Sequence, residues 1–371
     1  MSKEEFFQTY WQKRPLLIKN AFPSFENPLS SKKTFELAKQ SHVHSRLILG
    51  ESENLELFHG PFENEDLKNL GETPWTLLLN EMDTHDEKLH EILRSFFFLP
   101  SWRVDDVMVS HSSKGGSVGA HVDSYDVFLL QAEGRKKWQI GKAPFEGDPI
   151  ENESGLKLIP SLENFEEYTL GPGDILYLPP NRAHHGESLD DNGMTFSIGM
   201  IAPSLEDLNM VYLSELGLNE DRKKTYLSDP DLSSRKSSPE ILSFDLKNAI
   251  NQLKEQLMDE SVFIKSFGKI VTENKREDLF VEDEERLSEE ELTDQIKGGL
   301  ILKAHPRLRM AFFKDKEQVH FFANGEHYDV TLESLGFIDH LSSNRFLKGE
   351  VDEDLEPVIY DLYERGLLTH P

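Results

Sequence analysis

The spacing of hydrophobic and polar positions changes character three times along the chain. A helical pattern from Glu4 to Gln12 opens it, followed by Pro15-Leu16-Leu17-Ile18-Lys19, an apolar run entered through a proline that predicts a short strand. From Val104 to Pro203 the apolar residues fall instead into short β-rich runs. These are Val107-Met108-Val109, Asp126-Val127-Phe128-Leu129-Leu130, Lys137-Trp138-Gln139-Ile140, Asp174-Ile175-Leu176-Tyr177-Leu178 and Thr195-Phe196-Ser197-Ile198. Gly115-Gly116, Gly134 and Gly171-Pro172-Gly173 punctuate them, the pattern of an antiparallel barrel or jelly roll. In the last of these, Pro172 presets φ and Gly173 accepts a positive φ, so a type II turn should feed the next strand.

From about 204 to 298 the pattern is helical and acidic. The stretch Pro239 to Met258, capped by Ser237 or Ser238, sets Leu242, Leu246, Ala249, Leu253 and Leu257 on one face. That face must bury against the chain's own barrel or a second subunit. The Ser-, Asp- and Pro-rich stretch Ser228 to Pro239 is the best linker candidate. The last residues predict a small α+β unit, with strands at Leu308–Phe313 and Gln318–Phe322, a hairpin turn at Asn324-Gly325 and a helix from Glu356 to Leu368.

A length of 371 residues exceeds what one core usually supports, so two or three units are expected. Nowhere does an apolar run approach the roughly 18 residues of a membrane helix. The opening Met1-Ser2-Lys3-Glu4-Glu5-Phe6 has neither a basic n-region nor an apolar h-region, so no secretory signal is expected. With zero Cys, disulfides and thiolate metal sites are excluded, and a reducing cytoplasmic setting is expected. Any metal must be held by His, Asp or Glu. Lys and Arg number 40 against 68 Asp and Glu, a formal charge of −28. That balance disfavours direct nucleic-acid binding and favours a basic partner, although an acidic solvated surface alone would also account for it.

Candidate chemistry lies in His121-Val122-Asp123, at the start of a strand-like run where residues two apart share a face. One imidazole and one carboxylate can grip a single metal, with a third ligand supplied by His184 after Tyr177-Leu178-Pro179-Pro180. Two His and one carboxylate on a triangular face leave three open octahedral positions, the arrangement of non-haem iron(II) oxygenases. His185 competes for the third position. A second copy of the pattern, His327-Tyr328-Asp329, lacks the downstream strand-Pro-Pro-His element and reads as structural. Tyr125, Phe128 and Trp138 read as barrel core.

The chain resembles the JmjC-type bacterial ribosomal oxygenases, the cupin-superfamily arginine 3-hydroxylases of large-subunit ribosomal protein L16. The matching pieces are Tyr10-Trp11-Gln12-Lys13-Arg14-Pro15, His59-Gly60-Pro61-Phe62, Trp102-Arg103-Val104-Asp105-Asp106, the metal segment with Tyr125-Asp126-Val127-Phe128, Gly134 to Trp138, Gly171 to Pro180, and Tyr226 to Leu232. The resemblance implies a mixed α and β chain in three parts. A double-stranded β-helix (cupin/JmjC jelly roll) would occupy 1–203, a helical dimerisation region 204–284, and a winged-helix-like α+β domain 285–371.

It also implies that Fe(2+) is bound by His121, Asp123 and His184, with 2-oxoglutarate and O2 as co-substrates and a homodimeric assembly. The distal carboxylate of 2-oxoglutarate should meet Lys136, where bacterial members carry arginine and the wider JmjC group carries lysine. Ser110 is a candidate second partner for that carboxylate, and Asp105 and Asp106 are candidates for a substrate guanidinium. The implied substrate is a basic ribosomal protein, hydroxylated at the β-carbon of an arginine. The alternatives are a 2-oxoglutarate oxygenase acting on a protein histidine, RNA base or small molecule, a cupin metal enzyme without 2-oxoglutarate, and an interaction scaffold. The acidic stretch Glu350 to Glu356 and the lack of a basic stripe argue against DNA binding by the C-terminal domain.

Overall fold

A computed structural model describes residues 2–51, 54–68, 70–153, 155–159, 162–218, 243–257, 259–274, 286–348 and 351–370. It divides into two compact units, Met1–Ala202 and Pro203–Pro371.

In the first unit the strands are β1 (Leu16–Ile18), β2 (Ser45–Leu49), β3 (Glu56–His59), β4 (Trp75–Leu79), β5 (Val104–Ser112), β6 (Asp126–Glu133), β7 (Lys136–Gly141), β8 (Ile150–Glu151), β9 (Lys157–Leu158), β10 (Phe165–Leu170), β11 (Ile175–Leu178), β12 (His184–Ser188) and β13 (Gly193–Met200). The helices are α1 (Lys3–Thr9), α2 (Ser31–Leu37), α3 (Asn64–Lys68) and α4 (Glu87–Arg94). An eight-stranded sheet runs β1-β11-β6-β13-β5-β4-β2-β3, and a three-stranded sheet runs β10-β7-β12. Every pairing in the two is antiparallel.

Two cores follow from the alternation of side chains along these strands. One face of the large sheet, carrying Val107, Val109, Phe128, Leu130, Tyr177, Phe196 and Ile198, packs under Phe6 of α1 and Leu89, Ile92 and Leu93 of α4. The other face contributes Val127, Leu129, Leu176 and Leu178, which pack with Trp138, Ile140 and Leu170 of the small sheet. The sequence pattern placed the five barrel strands; the structure extends four of them and starts β11 one residue later than expected, at Ile175. The turn at Gly171-Pro172-Gly173 forms as expected: Asp174 N donates to Gly171 O at 3.0 Å. Gly173 has φ 86, and a Cβ there would lie 2.6 Å from Phe22 O.

The second unit begins with α5 (Leu205–Leu218), α6 (Ser243–Leu257) and α7 (Glu260–Thr272). After them come α8 (Glu289–Lys297), β14 (Leu302–Ala304), β15 (Met310–Lys314), β16 (Val319–Ala323), β17 (Glu326–Val330), α9 (Leu335–Asn344), β18 (Phe346–Leu347), α10 (Glu356–Glu364) and β19 (Leu368–Thr369). Two small sheets, β18-β14-β19 and β15-β16-β17, enclose a core of Leu292, Ile296, Phe321, Ile338, Ile359 and Leu362. The Asn324-Gly325 hairpin forms where the sequence placed it, with positive φ at both residues. The C-terminal helix stops short of the expected Leu368: it ends at Glu364, and Leu368 belongs to β19.

On α6, Leu246 and Leu253 of the expected face are 55% and 56% exposed with exposed Ile250 beside them, whereas Leu257 packs with Tyr212, Leu216 and Val262. Leu242, the caps Ser237 and Ser238, the Ser228–Pro239 linker and the Tyr226–Leu232 motif lie outside the described residues. Among the described residues no helix is long and apolar enough to cross a membrane.

Candidate metal centre

His121, Asp123 and His184 converge, each offering one ligand atom within 4.8 Å of the others. Backbone hydrogen bonds bring them together. His121 and His184 form an isolated antiparallel bridge, His121 N donating to His184 O at 3.0 Å and His184 N to His121 O at 2.9 Å. Asn181 N donates to Asp123 O at 2.7 Å, tying the carboxylate's own segment to the loop before β12. The strand expected to carry His121-Val122-Asp123 is therefore corrected: the segment is a loop pinned to β12, and β6 starts only at Asp126.

The backbone also fixes the imidazole tautomers. His121 Nδ1 lies 3.0 Å from Gly119 O and His184 Nδ1 lies 2.8 Å from Arg182 O. A carbonyl can only accept, so each Nδ1 carries the proton and each Nε2 keeps its lone pair. His184 Nε2 sits 3.6 Å from Asp123 Oδ2, and the two rings are 4.2 Å apart between centroids. Burial, then the neighbouring His121, push the His184 imidazole down to about 4, which keeps it neutral as a ligand must be. The set is two nitrogens and one oxygen, three ligands rather than a closed four, which fits a divalent iron better than a closed structural zinc. His185 is the competitor the structure removes: along β12, His184, Gly186 and Ser188 point inward and His185 alternates outward.

On the inward face of β7, paired with β12, stand Lys136, Trp138 and Ile140. Lys136 is 4% exposed, and its ammonium lies over the Trp138 ring at 4.9 Å. Its neighbours are disposed differently. Arg135 is exposed and bonded to Asp190 at 2.9 Å, and Lys137 pairs with Glu187 at 3.0 Å. Burial alone brings Lys136 down to about 8. Ser110 is buried on the barrel-facing side of β5, but its hydroxyl donates to Thr195 O at 3.5 Å.

Of the aromatics expected in the core, Phe128 and Trp138 are buried, whereas Tyr125 is 43% exposed and is corrected to a surface position beside the site. It belongs to a group that the sequence only partly revealed. Burial, then Asp123, Asp106 and Asp105, push the Tyr125 hydroxyl upward. Asp106 accepts from Glu81 N at 2.8 Å and is pushed up to about 8 by burial, then by Asp105 and Asp83. Asp83 accepts from Val107 N at 2.9 Å and is raised to about 6, chiefly by burial. Arg46 on β2 is the cation near Tyr125 and Asp106. Asp105 and Asp106 were visible as a pair in the sequence. Asp83 and Arg46 come from distant segments without a motif.

A jelly roll that gathers two histidines and an aspartate beside its smaller sheet is the architecture of the JmjC oxygenases, and residues 91–208 match the JmjC domain model. Residues 255–369 match the ROXA-like winged helix. The chain is 33% identical over 351 residues to the ribosomal protein uL16 3-hydroxylase of Escherichia coli, covering 93% of this chain and 90% of that protein. It is 30% identical to a probable ribosomal oxygenase of Haemophilus influenzae, covering 89% and 82%. The fold matches the solved structure of the E. coli ribosomal oxygenase YcfD in complex with cobalt and 2-oxoglutarate at TM-score 0.83 and 30% identity, over 100% of this chain and 98% of that one. The chain belongs to the family of JmjC-type ribosomal oxygenases.

Proposed function

We propose that this protein is an iron(II)- and 2-oxoglutarate-dependent hydroxylase of a ribosomal protein, acting on an arginine of the chain's own uL16. The observation that carries the reading is the convergence of His121, Asp123 and His184 with both Nδ1 protons committed to backbone carbonyls. The relative named for uL16 3-hydroxylation and the solved cobalt and 2-oxoglutarate complex support it.

His121, Asp123 and His184 hold the iron, and Lys136 receives the distal carboxylate of 2-oxoglutarate. Iron and 2-oxoglutarate, when bound, supply the oxidising power for inserting one atom of O2 into a C–H bond, with succinate and carbon dioxide as co-products. The protein's own residues orient and exclude. Gly119 O and Arg182 O hold the imidazoles, and Trp138 and Ile140 wall the small sheet against water. Because Lys136 is buried without a carboxylate to offset it among the described residues, an incoming dicarboxylate supplies its missing counter-charge. Ser110 reaches the same carboxylate once its hydroxyl leaves Thr195 O.

The half-buried carboxylates of Asp105 and Asp106 beside Tyr125 receive the substrate guanidinium. A −28 chain acts on the free basic protein rather than on RNA-covered ribosomes. It works in the cytoplasm as a homodimer, with residues 204–284 forming the dimer contact through the exposed apolar faces of α5 and α6 and 285–371 forming the winged-helix module.

Mass spectrometry of uL16 incubated with the protein, iron(II), 2-oxoglutarate and O2 tests this. One added oxygen on an arginine, lost in His121→Ala and His184→Ala, sustains it. Succinate without a modified uL16 discards the substrate, and no succinate at all discards the oxygenase.

A further inference from the structure

The second histidine-x-aspartate pattern reads from sequence as structural because nothing downstream supplies a third ligand. The structure supplies one from upstream. On the β16–β17 hairpin, His320 lies one strand across from His327 and Asp329, and the three side chains form a second cluster in the C-terminal unit. His320 Nδ1, His327 Nε2 and Asp329 Oδ1 make a closed triangle with edges of 3.1, 3.1 and 2.8 Å. We propose that this triangle is one face of a binding site for a first-row divalent transition metal, with zinc as the reference ion.

Three features carry the assignment. Metal–nitrogen bonds of about 2.0–2.1 Å place neighbouring ligand atoms about 2.9 Å apart on an octahedral face and about 3.3 Å apart in a tetrahedron, and the observed edges of 2.8–3.1 Å lie around the octahedral value and short of the tetrahedral one. Protons alone account for the triangle poorly. If both imidazoles donate to Asp329 Oδ1, two N–H groups face each other at 3.1 Å along the remaining edge. A central cation uses all three lone pairs at once.

The surroundings are those of a metal-bound imidazole. His320 Nε2 is 3.1 Å from Asp315 Oδ2, so donation there leaves Nδ1 unprotonated and completes a carboxylate–histidine–metal relay. Asp315 is itself fixed by Glu317 N and Gln318 N at 2.7 and 2.8 Å. Gln318 Nε2 donates to Asp329 Oδ1 at 2.7 Å and orients that carboxylate. His320 is buried and stacked between Phe313 and His327, which holds its ring in place. Lys265 and Lys269 of α7 are positive charges near His327, and Lys269 is paired with Glu215 at 2.9 Å. The site would fasten the hairpin to the turn at Asp315. It does not depend on the oxygenase reading.

The test uses the full chain carrying His121→Ala, which dismantles the first cluster, stripped of metal and titrated with Zn2+ by calorimetry. One equivalent should bind, and it should vanish in His121→Ala/His327→Ala and in His121→Ala/Asp329→Asn. Asp329 is exposed, so its variant should keep the fold and stay informative if the histidine variant does not. No binding by the His121→Ala protein, or the same equivalent surviving in the Asp329→Asn double variant, overturns the site.

Discussion

Gly186 lies directly across from Trp138 in the β7–β12 pair, and a Cβ at that glycine would stand 2.6 Å from the indole and 2.8 Å from Lys136 Cε. The missing side chain is what lets a tryptophan and a lysine share the inward face beside His184. Gly186→Ala forces the indole or the lysine stem to move, an overpacking that costs about 1–3 kcal/mol. The expected outcome is a KM for 2-oxoglutarate raised about tenfold, the equivalent of ~1.4 kcal/mol of binding. Iron affinity should stay near that of the parent, because His184 is anchored by its backbone rather than by Trp138. Equal losses in both would show that Gly186 serves the fold as a whole.

How far the sequence reached can be judged from individual residues. Short apolar, β-rich runs between Gly and Pro located the barrel strands, because a strand packed on both faces, as β6 and β11 are, reads as a continuous apolar run bounded by turn residues. The convergence of His121, Asp123 and His184 was legible from their residue types, but the way the backbone brings them together was not. The sequence put His121 and Asp123 on a strand, whereas a bridge to His184 and a bond from Asn181 hold them. The register that places Gly186 against Trp138 is a long-range property with no local signal. Arg46, Asp83 and Asp106 meet only after β2 and β5 enter the same sheet. The third member of the second cluster escaped notice because it precedes the motif, one strand away across a hairpin.

The N-terminal segment is stitched to the barrel through one buried carboxylate. Tyr177 donates to Asp126 Oδ1 at 2.5 Å, Gln12 Nε2 donates to Asp126 Oδ2 at 3.0 Å, and Gln12 N donates to the Tyr177 oxygen at 2.8 Å. Tyr177→Phe leaves a buried carboxylate short of a donor and a backbone N–H without its acceptor, a loss of about 1–3 kcal/mol. Chemical denaturation should show a lower midpoint with an unchanged slope. A midpoint equal to that of the parent would mean that water replaces the hydroxyl without cost.

The proposed binding of the distal carboxylate by Lys136 gives 2-oxoglutarate affinity a pH dependence of definite sign. Burial lowers its ammonium to about 8 in the free protein, and a bound dicarboxylate favours the charged form. Affinity for 2-oxoglutarate should therefore be full below that value and decline as pH rises through it. Lys136→Arg keeps the charge to much higher pH, so its binding profile should stay flat across the same window. Lys136→Met should weaken binding at every pH. A parent profile that does not bend near 8 would place the distal carboxylate elsewhere.

Asp106 should act in the opposite sense on the protein substrate. Burial and the neighbouring Asp105 and Asp83 hold it up to about 8, so below that pH the free protein keeps it protonated. A guanidinium arriving there favours the ionised carboxylate, and each unit of rising pH on the acidic side should strengthen binding of an arginine peptide until it levels off above 8. Asp106→Asn removes the ionisation while preserving the bond from Glu81 N. It should raise the peptide KM roughly 10- to 100-fold, about 1.4–2.8 kcal/mol, and flatten its pH profile. Peptide-independent turnover of 2-oxoglutarate should persist, because neither Lys136 nor the metal cluster is touched. If peptide binding and peptide-independent 2-oxoglutarate turnover are lost together, Asp106 supports the β5 edge of the barrel and the guanidinium is received by other groups.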